Sequence, residues 1–247
     1  MGEKKFNVIL DLDLTLICAE PIKSFGLKKH REKIKAFDPK FDITTLSYPD
    51  DVPIRDRRIL IIEDYYIVFL RPHLQEFLDF LFKNFNVGVW TAASKDYALF
   101  IIKHAVLLLN EDESPSLPKE SQRFLDFIFF YYHCGISKKL HTGSKNLKLV
   151  YDVFDTYNEN NTVIIDDCQE VHDIQSSVCI HAKEFQISTD NAGDDTFLLD
   201  VIEELKTRFN VKDQVLKDQV LKDQVLKDQV LSPHTKKIRK RTKLDIS

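Results

Sequence analysis

NVILDLDLTLI, residues 7–17, gives the clearest indication of the fold of this chain. Its first half is apolar, as in a buried strand, and Asp11, Asp13 and Thr15 follow on alternate residues. Since a carboxylate is costly to bury, we expect the strand to end near Asp11 and the chain to form a loop there. Loops at the carboxyl ends of parallel strands are where open α/β sheets bind their ligands.

Two later strands also end in polar residues. Residues 86–90 (NVGVW) precede Thr91, and residues 162–165 (TVII) precede Asp166 and Asp167. The carboxyl ends of parallel strands meet at one edge of a sheet. These side chains are therefore expected to lie beside the two aspartates that follow the first strand.

Four carboxylates at one sheet edge repel one another strongly. A divalent cation relieves that repulsion, and oxygen ligands favour Mg²⁺ over zinc. Carboxylates with Mg²⁺ suit phosphate chemistry, because one aspartate can attack phosphorus while a second moves the proton. The phosphoryl oxygens also need a hydrogen-bond donor and a cation. Thr91 and Lys145, which follows the turn HTGS, are the candidates.

Strands and helices alternate along most of the chain. Further β segments are predicted as a hairpin within 57–71 and as strands at 124–134 and 177–182. Helices are predicted from Pro72, from Ser94, from Ser144 through Tyr157 and from Thr196 to Phe209. Residues 25–55 read as an irregular surface insertion. The alternation predicts an α/β fold: a Rossmann-like, mostly parallel sheet with helices on both faces and a small β insertion after the first strand.

Composition divides the chain into three parts. Apolar residues make up 43% of the 247 residues, and the net charge is −4. We expect a catalytic domain over residues 1–210, a repeat segment over 211–231 and a basic tail over 232–247. The body is acidic, which does not indicate a nucleic-acid-binding surface. Residues 236–243, KKIRKRTK, hold six Lys/Arg; they are read as a nuclear localisation signal, an arm for an import receptor or acidic partner, or a solvated terminus.

The pentapeptide KDQVL occurs four times over residues 212–231. On a helix, each repeat is rotated from the one before it by about 500°, which is a net rotation of about 140°. The Val-Leu pairs therefore point in different directions and form no apolar stripe. This favours a helical or disordered extension without chemistry of its own, and a partner-binding helix is the alternative. The sequence shows no signal peptide and no apolar run long enough to span a membrane. We therefore expect a nuclear or cytoplasmic protein with no membrane partner.

Five segments resemble the haloacid-dehalogenase superfamily. They are DLDLTLI, FLRPHLQEFL, VGVWTAASKDYA, SKNLKLV and VIIDDC. Within that superfamily they look most like the carboxy-terminal-domain phosphatases, the NLI-interacting-factor-like group. Arg71-Pro72 and the Thr-Ala-x-x-x-x-Tyr-Ala run from Thr91 to Ala98 are the narrower markers, and the match covers residues 6–209.

This resemblance implies a Mg²⁺-dependent phosphatase for phosphoserine or phosphothreonine in proteins, such as the repeated tail of RNA polymerase II. It implies catalysis through an aspartyl-phosphate. It also implies a role for each polar residue: Asp11 as nucleophile and Mg²⁺ ligand, Asp13 as general acid/base with its backbone carbonyl on the metal, Thr91 and Lys145 holding the phosphoryl group, and Asp167 as a metal ligand supported by Asp166.

Three features depart from the family pattern. Leu14 stands where the family usually has Glu, and the central segment FYYHC lacks an arginine that often precedes its cysteine. The insertion over 25–55 lies where relatives hold their substrates. Two alternatives therefore stay open: a phosphatase for small-molecule or nucleic-acid-end phosphates, and a non-catalytic phosphopeptide-binding relative. The intact DxDxT motif favours catalysis.

Overall fold

A computed structural model describes residues 6–110 and 112–211, with Ser24 lacking a described side chain. Within these residues the strands are β1 (Asn7–Leu10), β2 (Ile17–Pro21), β3 (Ile59–Ile62), β4 (Tyr66–Leu70), β5 (Asn86–Trp90), β6 (Ile128–Phe129), β7 (Thr162–Asp166) and β8 (Cys179–His181). The helices are α1 (Ile22–Phe25), α2 (Arg31–Phe37), α3 (Leu74–Asn84), α4 (Lys95–Ile101), α5 (Tyr131–Leu140), α6 (Lys148–Val153), α7 (Gln169–Ile174) and α8 (Phe197–Phe209).

The central sheet is parallel and has the strand order β6-β5-β1-β7-β8. β1 lies in the middle, and its residues are fully buried because sheet neighbours and helices cover them. Ile9 and Ile164 share an apolar cluster with Leu149 of α6 and Val171 of α7, so these helices cover one face of the sheet. The predicted α/β class with a mostly parallel sheet is confirmed.

A second, antiparallel sheet has the order β2-β4-β3. The hairpin predicted within 57–71 forms its β3–β4 part, with Glu63 and Asp64 in the turn at φ 47° and 53°. β2 was not predicted, because a loop was expected after Asp11 and the short run Ile17–Pro21 has no periodicity that indicates a strand. Residues 25–55, expected to be irregular, contain α2, which buries Ile34 and Phe37.

Two predicted boundaries in the second half are wrong. The run 124–134 contains only the two-residue strand β6, and Tyr131 begins helix α5. Short apolar runs do not distinguish a strand from a buried helix. Ser144 does not begin a helix through Tyr157; α6 is six residues long, and Asn146 Oδ1 accepts the Lys148 N–H at 3.0 Å just before it.

Other boundaries are close to those predicted. α3 begins at Leu74, two residues after Pro72, and His73 at its N-cap has φ 64°. Ser94 occupies the N-cap position of α4 without a side-chain capping bond. The helix predicted over 196–209 is α8. In the described part of the chain no helix has the length and apolar character to cross a bilayer. The predicted repeat (from residue 212 on) and the basic tail lie outside the described residues.

Candidate active site

The end of β1 places Asp11 beside β7. The register pairs Leu10 with Ile165, and the Asp11 N–H donates to the Ile165 carbonyl at 3.0 Å, so pairing continues one residue past the strand. Asp11 thereby comes opposite Asp166, the last residue of β7. Asp11 is 6% exposed and Asp166 is fully buried. The sequence prediction that these two strand ends converge is met by the geometry.

Lys145 lies between these two carboxylates. Its Nζ is 2.7 Å from Asp11 Oδ1 and 2.7 Å from Asp166 Oδ2. The ammonium is buried, and burial alone lowers its pKa, but the charges of Asp11 and Asp166 outweigh burial and raise the pKa above the usual lysine value. Lys145 therefore stays charged and offsets part of the negative charge at the sheet edge.

The loop that carries Lys145 is held from both sides. The Asn146 N–H donates to Ser137 Oγ at 3.0 Å, and the Lys145 carbonyl accepts from Gln175 Nε2 at 2.8 Å. Gly143 in this loop has φ 93°, where a side chain would be strained and would meet Ile174. These contacts position the ammonium without any help from a ligand.

Asp166 has partners for both carboxylate oxygens. Oδ2 accepts from Lys145, and Oδ1 accepts the Cys168 N–H at 2.9 Å. Burial and the nearby charge of Asp11 raise the pKa of Asp166, while Lys145 opposes the shift. Asp166 is thus tied to Lys145 and to the backbone of its own loop.

Asp167 lies near Asp11 and Asp166, and Thr15 holds it there. Its Oδ1 accepts from the Thr15 hydroxyl at 3.0 Å, and its N–H donates to the Thr15 oxygen at 3.1 Å. Burial and the charge of Asp11 raise the pKa of Asp167 to about 6. Thr15, the last residue of the DxDxT motif, therefore links the loop after β1 to the loop after β7.

Three carboxylates form a group that fits a hard divalent cation. Oxygens of Asp11, Asp166 and Asp167 lie within 4.8 Å of one another. The donor set is entirely oxygen, which is what hard cations such as Mg²⁺ and Ca²⁺ prefer. Asp13 does not belong to this side-chain group, so its assignment as a ligand through its backbone carbonyl stays a prediction.

Asp13 has its own partner, Tyr97 on α4. The Tyr97 hydroxyl donates to Asp13 Oδ1 at 2.6 Å. Burial raises the pKa of Asp13, and the Tyr97 hydrogen bond opposes that shift. The two motif aspartates thus occupy different surroundings: Asp11 contacts an ammonium, and Asp13 contacts a neutral phenol. A carboxyl group with a raised pKa is suited to donate a proton.

Thr91 ends β5 on the other side of β1. It is 1% exposed, its N–H donates to the Phe129 carbonyl at 2.9 Å, and its Oγ accepts the Ala93 N–H at 3.0 Å. Leu10 of β1 pairs with Val89 of β5. Thr91, just after β5, therefore lies at the same edge of the sheet as Asp11, just after β1. Its role in holding a phosphoryl group stays a prediction.

Arg71 was identified only as a family marker, and its function in the fold was missed. Its Nη1 donates to the Thr15 carbonyl at 2.9 Å, and its Nε and Nη2 donate to the two Asp195 oxygens, each at 2.9 Å. The guanidinium lies 4.2 Å from the Phe197 ring centre. Arg71 thereby ties the motif loop to the start of α8. No local sequence signal indicates Asp195 as its partner.

The departures from the family pattern have a structural setting. Leu14 has φ 60°, and the backbone holds this turn: its N–H donates to Ile17 and its carbonyl accepts from Phe185. The side chain of Leu14 is therefore not what maintains the loop. Arg123, the arginine nearest in sequence before Cys134, is buried against Asp79 at 2.7 Å and makes structural contacts.

The parallel sheet carries its carboxylates on the loops that follow β1 and β7, and a family comparison identifies the class of protein. The model of the NLI interacting factor-like phosphatase family matches residues 6–216, and this chain belongs to that family. The CTD phosphatase-like protein 355R of Invertebrate iridescent virus 3 is 38% identical over 83% of this chain and 98% of its own length. The protein of the same name from Invertebrate iridescent virus 6 is 35% identical over 83% of this chain and 99% of its own length.

Among solved structures, the RNA polymerase II CTD phosphatase Fcp1 is similar with a TM-score of 0.44 and 16% identity. The similarity covers 82% of this chain and 50% of that one, so the chain spans about half the length of that structure. A similarity with so low a TM-score does not indicate a function for this chain. The family resemblance inferred from the five sequence segments is confirmed by the family match.

Proposed function

We propose that this chain is a Mg²⁺-dependent phosphatase that removes phosphate from serine or threonine in proteins through an aspartyl-phosphate on Asp11. One observation carries the proposal. Two aspartates separated by a single residue have different partners: Asp11 contacts the Lys145 ammonium at 2.7 Å, and Asp13 contacts the Tyr97 hydroxyl at 2.6 Å. This difference separates a nucleophile from a proton donor.

In the first step, a carboxylate oxygen of Asp11 attacks phosphorus. The bond between phosphorus and the substrate oxygen breaks, and Asp13 donates its proton to that oxygen. The raised pKa of Asp13 favours the protonated form needed here. The Thr91 hydroxyl and the Lys145 ammonium hold the phosphoryl oxygens as charge develops on them.

In the second step, Asp13 acts as a base. It takes a proton from a water molecule whose oxygen attacks phosphorus, and the bond between phosphorus and Asp11 breaks. Inorganic phosphate leaves, and both aspartates return to their starting protonation states. The Tyr97 hydroxyl keeps Asp13 in place through both proton transfers.

The cation would be held by Asp11, Asp167 and the Asp13 carbonyl. Asp166, which is paired with Lys145, would support these ligands. When bound, Mg²⁺ supplies positive charge that lets an anionic carboxylate approach an anionic phosphate. The oxygen-only donor group within 4.8 Å supports this assignment. The names of the viral relatives support a protein substrate for this site.

A hydrolysis assay tests the proposal. The wild-type chain is expected to hydrolyse p-nitrophenyl phosphate with Mg²⁺ but not with EDTA, and Asp11→Asn should abolish turnover. A panel of phosphopeptides against sugar and nucleotide phosphates then identifies the substrate class. Equal turnover by wild type and Asp11→Asn would overturn the mechanism. Preference for small phosphates would overturn the protein substrate, and peptide binding without turnover would indicate a non-catalytic relative.

We further propose that the basic segment 236–243 directs the protein to the nucleus. Its six Lys/Arg within eight residues are a composition typical of import signals. Fusion of residues 232–247 to a fluorescent reporter should cause nuclear accumulation. Uniform distribution of the fusion would contradict this assignment.

A further inference from the structure

A cavity of about 640 Å³ lies in the insertion between β2 and β3. Ile22, Leu27 and Ile43 form its apolar part, and all three also pack against the core of the insertion. Gly26, with φ 68°, makes the turn that leads from α1 into this wall. The cavity is therefore built on packed residues.

Basic residues surround this apolar floor. Lys28, Lys29 and Arg31 line the cavity and are exposed. None of the three forms an ion pair with a carboxylate in the described part of the chain. Residues 22–44 hold seven Lys/Arg and three Asp/Glu in a chain whose net charge is −4. The insertion is thus a cationic surface on the acidic body of the protein.

The turn that carries the two lysines is fixed in place. His30 Nδ1 lies 2.7 Å from the Phe25 carbonyl, and the His30 and Phe25 rings stack at 4.4 Å. The Lys29 N–H donates to the Gly26 carbonyl at 2.8 Å. The backbone positions of the two lysines are therefore set before any partner arrives, which lowers the entropic cost of binding.

The cavity lies at the far end of the strand that leaves the candidate active site. Asp13 forms a β-bridge with Ile17, the first residue of β2, and Ile22 follows the last residue of β2. A strand rises about 3.3 Å per residue, so Ile22 lies roughly 16 Å from Ile17. An extended peptide covers that distance with about five residues.

We propose that this cavity docks an acidic segment of the phosphoprotein substrate, about five residues from the residue that is dephosphorylated. The inference rests on the proposed function and adds a specificity element to it. An aliphatic side chain of the peptide occupies the floor formed by Ile22, Leu27 and Ile43. Acidic or phosphorylated side chains beside it contact Lys28, Lys29 and Arg31, and this charge complementarity is what selects the segment.

A nucleic acid fits this cavity less well. Proteins that hold single strands stack bases on aromatic side chains. The residues that line the cavity include no aromatic side chain. An acidic peptide with one aliphatic residue satisfies both the apolar floor and the cationic rim, whereas RNA satisfies only the rim.

A binding assay separates docking from catalysis. Full-length Asp11→Asn protein is titrated with a fluorescent, unphosphorylated peptide that contains Glu-Leu-Glu, and with a Ser-Gly-Ser version. Docking predicts that the acidic peptide binds more tightly than the Ser-Gly-Ser version. The affinity for the acidic peptide should fall about tenfold in Lys28→Glu/Lys29→Glu, and added salt should lower it in the wild type. The control is Lys83→Glu/Lys119→Glu, which makes the same charge change at exposed lysines outside the insertion. Equal loss in both variants, or tighter binding of a single-stranded RNA, overturns the proposal.

A kinetic assay links docking to turnover. Two phosphoserine peptides are compared, one with Glu-Leu-Glu about five residues from the phosphoserine and one with Ser-Gly-Ser. The acidic peptide should have a KM about tenfold lower at similar kcat, and Lys28→Glu/Lys29→Glu should remove the difference while p-nitrophenyl phosphate hydrolysis is unchanged. An unchanged preference in that variant refutes the docking site. Hydrolysis of p-nitrophenyl phosphate but of neither peptide refutes the protein substrate, and the binding assay still decides the docking.

Discussion

Replacement of Lys145 by Met removes the cation between Asp11 and Asp166 while keeping a side chain of similar length. In the wild type the ammonium lies 2.7 Å from an oxygen of each carboxylate, and its side chain is 5% exposed. Loss of one member of a buried ion pair costs about 3–5 kcal/mol, because the remaining charge stays buried without a partner. Two carboxylates lose their partner here, so we expect a loss of about 5 kcal/mol in the free energy of unfolding.

The loss should depend on pH in a defined direction. Lys145 holds the pKa of Asp166 down, so the variant has a pKa at Asp166 that is higher still. An acid whose folded pKa lies above its unfolded value binds its proton more tightly in the folded state, and stability falls as pH rises through that interval. The loss in the free energy of unfolding of Lys145→Met, relative to the wild type, should therefore be small near pH 5 and largest near pH 8.

Urea denaturation followed by circular dichroism in EDTA measures this effect. The set is wild type, Lys145→Met, Asp166→Asn and the double variant, with Lys148→Met as control because Lys148 is an exposed lysine on the following helix. The double variant should recover about 2 kcal/mol relative to Lys145→Met, because one unpartnered carboxylate is gone. A loss below about 1 kcal/mol near pH 8, or no recovery in the double variant, would refute the reasoning.

Three further results are expected. Tyr97→Phe should lower kcat about tenfold with little change in KM. It should also raise the pKa of Asp13, because the hydrogen bond that lowers this pKa is lost. A pH–rate profile measures kcat and the pKa. Calorimetry should find Mg²⁺ affinity about tenfold weaker near pH 5 than near pH 7.5, since a proton on Asp167 must leave first. Arg71→Met should cost about 3 kcal/mol in urea denaturation, because Asp195 keeps a partly buried charge without its partner; a wild-type midpoint would contradict this.

The central sheet could be predicted from local sequence because its strands are short apolar runs that end in polar residues. Leu10 ends one such run, and the structure places it between Val89 and Ile165 of two others. The β2 strand and the Tyr131–Leu140 helix were missed for one reason. Their apolar residues have no periodicity that separates strand from helix, and packing against the rest of the chain decides the outcome.

The candidate site could be predicted only in part. The convergence of Asp11 and Asp166 could be predicted because each stands where a strand ends at the same sheet edge, and Lys145 was chosen as the cation that a phosphoryl group needs. The contact of Arg71 with Asp195 joins residues 124 positions apart, and neither belongs to a recognisable local pattern. Such a pair is visible only once the fold has brought α8 beside the motif loop.

The different surroundings of Asp11 and Asp13 are a property of the tertiary structure. The motif supplies two chemically identical side chains, two residues apart in one loop. Lys145 then contacts one of them, and Tyr97, 84 residues from Asp13 in sequence, contacts the other. Asp11 thus has a positively charged neighbour, whereas burial leaves Asp13, beside a neutral phenol, with a raised pKa. The roles proposed for the two aspartates therefore depend on these partners and on the place of Asp11, without the Asp13 side chain, in the carboxylate group.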